Sequence, residues 1–107
     1  MNLEQIRLQE ARRRTETMRW ILLVTLNIAR PAETQLGLLL SVTRGEYSDA
    51  TSMEILRELD YLQGRDLITL RTDQLGTVYA KIDRYGIDIV GYAVECEPGI
   101  ARPHPGV

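Results

Sequence analysis

At 107 residues the chain can hold one domain with a modest core, and its 44% hydrophobic and 26% charged residues exclude a membrane-spanning or fully disordered composition. A single cysteine, Cys96, and a single histidine, His104, exclude an internal disulfide and a thiolate zinc site. The net charge of −2 is unevenly spread: residues 1–30 carry six Arg against three Glu, and residues 31–92 carry six basic against ten acidic side chains.

Residues 3–29 predict one long helix or two consecutive ones. Its charged start at Glu4, Arg7 and Glu10 leads us to expect no secretory signal, and with the lone cysteine it points to the cytoplasm. The first part, LEQIRLQEARRRTE, is polar, with Glu10 and Arg14 in the favourable i,i+4 order. From Met18 onward two apolar stripes appear at helical spacing: Met18, Ile21, Leu22, Thr25 and Ile28 on one face, and Trp20, Leu23, Val24 and Asn27 on another. A helix apolar on two faces is either wholly buried or shared with another chain, and in so small a protein sharing is expected. Trp20, Leu23 and Val24 are therefore the candidate homodimer contacts. The longest apolar run, Trp20 to Val24, falls far short of the ~20 residues that cross a bilayer, so no membrane partner is expected. Pro31 ends the helix by pushing Arg30 out of the α region.

The second unit, 31–94, opens with a helix expected over Thr34–Thr43, stopped by Gly45. Thr51-Ser52-Met53-Glu54 has the form of a capping box, and the helix it starts points Ile55, Leu59 and Leu62 inward until Gly64. Leu67–Arg71 and Val78–Ile82 alternate in polarity around a turn holding Asp73 and Gly76, which predicts a hairpin. Asp83 can cap a last helix through Ile87, Val90 and Gly91 to Tyr92 and Val94. From Glu97 the sequence EPGIARPHPGV has three Pro and two Gly in eleven residues, so 95–107 is expected to be a flexible tail.

Several of these residues carry a resemblance. Leu59-x-x-Leu62-x-x-x-x-Leu67-Ile68 resembles the L-x-x-L-x-x-x-G-L-[VI] signature that closes the recognition helix of winged-helix regulators. Lys81-Ile82-Asp83-Arg84-Tyr85-Gly86-Ile87-Asp88 is similar to the I-T-x-x-G-x-[DE] segment after the wing in the MarR, PadR and ArsR-like families, with Asp83 in the Thr cap position. The R-P-A-E-T-Q start and D-Y-L-Q-G-R-D-L core also resemble small winged-helix proteins of Mu-like bacteriophages and prophages. The resemblance implies a mainly α fold with a small β-hairpin, a winged helix-turn-helix behind a long N-terminal helix at 1–30. It implies double-stranded DNA as the partner and phage-associated transcriptional regulation as the function.

On that alignment Ser52, Met53, Glu54, Leu56 and Arg57 face the groove, Ser52 and Arg57 being the DNA readers, while Arg71, Lys81 and Arg84 reach phosphates from the wing. Three departures open a second reading. Arg44 to Ala50 is longer than a tight helix-turn-helix turn. Glu54 and Glu58 would repel the DNA backbone. Met53 and Leu56 would be apolar groups on an exposed face, which mark protein contacts. The alternative is thus a protein-interaction module that binds another phage or host protein through Met53 and Leu56.

Arg12-Arg13-Arg14 is either a phosphate-gripping patch or a solvated face paired with Glu10 and Glu16. Glu95 and Glu97 flank Cys96 and disfavour a reactive thiolate, and His104 has no second histidine. With no phosphate-cradling loop, zinc spacing or nucleophile elbow in the sequence, neither enzyme activity, cofactor nor metal is expected.

Overall fold

In the computed structural model, which describes residues 1–105, a single 26-residue helix, α1 (Leu3–Ile28), opens the chain. Nothing between its ends breaks it, because it contains no Gly or Pro. Asn2 and Gln5 form a reciprocal capping box: Asn2 Oδ1 accepts from the Gln5 amide at 2.8 Å and the Asn2 amide donates to Gln5 Oε1 at 3.0 Å. The C-terminal half of α1 is the spine of the molecule, touched by three later helices and one strand.

That packing corrects the expected dimer face. Leu23 is fully buried within this chain, Val24 is half-buried, and Trp20 packs on the core with its ring edge-on to Tyr92 at 6.5 Å between centroids. Most of both stripes is taken up internally because four elements close around the helix, although Ile28 at the end of the first stripe is 78% exposed. Residues 1–13, by contrast, are all exposed.

A two-residue strand, β1 (Thr34–Gln35), replaces the expected first turn of the next helix, and α2 (Leu36–Arg44) follows it. After a loop comes α3 (Ser52–Gly64), with Thr51 Oγ1 accepting from the Glu54 amide at 3.2 Å. Only this half of the expected capping box forms, since the Glu54 carboxylate turns to Arg14 instead. Asp66, at φ 64°, turns the chain into β2 (Ile68–Thr72), which pairs antiparallel with β3 (Val78–Ile82). The connecting turn has Gly76 at φ 85° and Asp73 Oδ1 accepting from the Leu75 and Thr77 amides, each at 2.9 Å. β1 adds to the other edge of β3, giving the order β1-β3-β2, so the expected hairpin is part of a three-stranded sheet.

The last helix, α4 (Arg84–Val90), is short. Asp83 occupies its cap position, but its carboxylate accepts from Thr69 Oγ1 at 2.7 Å rather than from the helix. Gly86 sits so close to the hairpin that a Cβ would meet the Leu67 carbonyl oxygen and lie 2.7 Å from Ile82 Cγ1. The expected continuation to Val94 fails at Tyr92, which adopts φ 60° and turns the chain back.

The segment expected as a flexible tail instead lies on the domain as far as it is described, and residues 106 and 107 lie outside the described residues. Ile100 is 5% exposed, the Ala101 amide donates to the Glu16 carbonyl at 3.0 Å, and Arg102 Nη1 donates to the Ile89 and Val94 carbonyls. Among the described residues, no helix is long and apolar enough to cross a membrane.

Candidate nucleic-acid interface

α3 buries Ile55, Glu58, Leu59 and Leu62, at i, i+3, i+4 and i+7, against the core. Its opposite face presents Ser52, Met53, Arg57 and Asp60 to solvent, with Met53 69% exposed, while Leu56 is half-buried at the margin. Ser52 and Arg57 thus share an exposed face with Met53.

Glu54 and Glu58 lie elsewhere than expected. Glu58, 3% exposed, accepts from Arg19 Nε at 2.8 Å. The Arg19 guanidinium also donates to the Gly99 carbonyl at 2.9 Å and lies over the Tyr61 ring, 3.4 Å from its centroid. Tyr61 Oη in turn donates to Glu97 Oε2 at 2.5 Å, and Arg65 reaches the same oxygen at 2.9 Å. Glu54 is chelated by Arg14, whose Nε and Nη2 each donate to it at 2.8 Å, while Arg14 Nη1 donates to Asp49 Oδ1 at 2.9 Å. The partners of Arg14 are therefore on α3 and the loop before it, not Glu10 and Glu16. Hydrogen bonds from Arg14 are the main reason the Glu54 and Asp49 carboxyls are held below the usual range.

The sheet carries the other expected cations. Arg71 is held by Glu33 in a two-pronged pair, Nη2 to Oε1 at 2.8 Å and Nε to Oε2 at 3.0 Å, with its guanidinium over the Tyr79 ring at 4.4 Å. The same pair holds the Glu33 carboxyl below its ordinary range. Lys81 is exposed two residues along β3 from Tyr79, so Arg71, Tyr79 and Lys81 share one face of the sheet. Lys81 also lines, with Arg30, Asn27 and Ile87, an open cleft of about 520 Å³ between the end of α1 and α4. Arg84 is almost fully exposed, 3.5 Å from Asp88. Among the described residues no ion pair, hydrogen bond or cavity links this group to Ser52 or Arg57.

The ion pairs among the described residues engage Arg14, Arg19, Arg65, Arg71 and Arg84; Arg7, Arg12, Arg13, Arg57 and Lys81 take part in none. Glu58 turns inward, against the expectation that it would face DNA, although its spacing with Ile55, Leu59 and Leu62 carried the signal. No sequence signal could have joined Arg71 to Glu33 across 38 positions. Cys96 is half-buried, and desolvation is the main cause that pushes its thiol up. Comparison with protein-family models, curated proteins and solved structures returned no match to this chain.

Proposed function

We propose that the chain is a winged-helix DNA-binding protein, acting as a phage-associated transcriptional regulator, with α3 as recognition helix and the β2–β3 hairpin as wing. The order α1-β1-α2-α3-β2-β3, with β1 beside β3, supports this reading. The observation that carries it is the inward pairing of Glu54 with Arg14 and of Glu58 with Arg19. Those two carboxylates were the chief electrostatic objection to DNA at α3, and their pairing leaves Arg57 as the charged group on the outer face of the first two turns. Ser52 and Arg57 then contact base edges, and Lys81 contacts phosphate. Arg71 and Arg84 reach phosphate by exchanging Glu33 and Asp88 for it.

Binding to duplex DNA at ~50 and ~200 mM salt tests the proposal: micromolar affinity that falls steeply with salt is expected, and Arg57→Ala should weaken it by ~1–3 kcal/mol. No binding at the lower salt would remove it.

A second reading, a protein-interaction module, is favoured by Met53 at 69% and Leu75 at 91% exposure, with Leu38 and Val42 also open on α2. There Met53→Asp abolishes partner capture while Arg57→Ala does not; Met53 is the better probe because Leu56 is half-buried.

A further inference from the structure

The first 13 residues are fully exposed, yet they continue α1 as an ordered, capped helix. Eleven residues of helix, about 16 Å, project beyond the domain without a partner. Helix of that length is marginal in water unless a face of it is covered. The face in question is defined: Met1, Gln5, Leu8, Gln9 and Arg12 line a shallow concavity of about 320 Å³ along it, and Leu8 is 65% exposed.

We propose that this overhang pairs antiparallel with the same segment of a second copy of the chain, centred on Leu8. Glu4, Leu8 and Arg12 stand at i, i+4 and i+8, on one side of the helix. With Leu8 on the two-fold axis, Glu4 of each copy lies opposite Arg12 of the other, so the stripe is self-complementary in charge and meets itself at its apolar centre. Neither Glu4 nor Arg12 takes part in an ion pair among the described residues. The same register sets Leu3, the first residue of α1, against Arg13, the last fully exposed one before Arg14 turns half-buried, so the pairing uses the whole helical overhang and stops where the domain begins. A parallel arrangement would instead stack Glu4 on Glu4 and Arg12 on Arg12. The Trp20, Leu23 and Val24 face has less to offer, Leu23 being fully buried and Trp20 and Val24 half-buried within the chain. The inference does not depend on DNA binding.

Sedimentation velocity on the full chain tests it. The contact is small beside the ~800 Å² per partner of a standard interface, so a dimer with a dissociation constant of ~1–100 μM is expected. Leu8→Asp should give a monomer whose domain stays folded, read from the aromatic circular dichroism of Trp20 and Tyr92. Glu4→Arg or Arg12→Glu alone should each weaken association about tenfold, and the double reversal should restore it to within about threefold. A wild-type chain still monomeric at ~500 μM, far above that range, would overturn the proposal. So would a dimer indifferent to Leu8→Asp, or single reversals that the double does not rescue.

Discussion

Arg19 is where distant parts of the chain converge: from α1 it pairs with Glu58 of α3, donates to the Gly99 carbonyl and lies over Tyr61. Glu58 is too deeply buried to find water in place of that partner. Arg19→Ala should therefore cost ~3–5 kcal/mol in urea unfolding, and replacing Glu58 by Leu in the same chain should recover a large part of it. A loss of only ~0–1 kcal/mol would be that of a solvated surface pair and would contradict the burial. Gly86 is the other residue with no freedom. Alanine there must push α4 away from the Leu67 carbonyl and Ile82, and a loss of ~1–3 kcal/mol is expected in thermal unfolding.

At the scale of elements, the C-terminal segment behaves as part of the fold. Its composition is poor in apolar side chains, but Ile100 reaches the core; the Arg19 guanidinium holds the Gly99 carbonyl before it, and after it the Ala101 amide bonds to α1 and the Arg102 guanidinium to α4. Tyr92 holds the reversal that brings it there: at φ 60° it sits in a region unfavourable for an aromatic residue. Its hydroxyl donates to the Pro103 carbonyl at 2.8 Å, and Arg102 stacks on its ring at 4.5 Å. Ile100→Ala should lower stability by ~2–4 kcal/mol, whereas a loose tail would make the substitution silent. Amide exchange offers a second check, since the Ala101 amide, bonded to Glu16, should be protected.

Over the whole molecule, the cations are distributed so as to neutralise an acidic domain from within. Arg14 lowers the carboxyls of Glu54 and Asp49, Arg71 lowers Glu33, and a backbone bond from the Thr77 amide is the main cause lowering Asp73. Folded values below the unfolded ones mean that these groups add stability at pH above the ordinary carboxylate range. The contribution is lost as pH falls through the folded values. The melting temperature should thus hold between about pH 7 and 5 and fall below about pH 4. Arg14→Gln should lower it at neutral pH and shrink the acid-dependent drop. An equal drop in the variant would show that Arg14 does not govern those carboxyls.

Signals confined to a few neighbouring residues were legible in the sequence. Thr51 marks the start of α3, Pro31 the end of α1, and Asp73 with Gly76 the hairpin turn, because caps and turns are satisfied by the segment's own backbone. The alternation in Leu67–Arg71 and Val78–Ile82 likewise located both strands; the winged-helix resemblance put Ser52, Met53, Glu54, Leu56 and Arg57 on an open face, and Ser52, Met53 and Arg57 are exposed while Glu54 and Leu56 are half-buried. Tertiary structure decided the rest. β1 is a strand only because β3 offers it an edge, and Leu23 is buried only because four elements close around α1. Glu58 and Arg71 find their partners 39 and 38 residues away. Proline and glycine near the C-terminus describe the backbone's local freedom, not whether Ile100 meets a core. Local pattern fixes which face of an element is apolar or charged; which surface covers that face depends on how elements distant in sequence pack together.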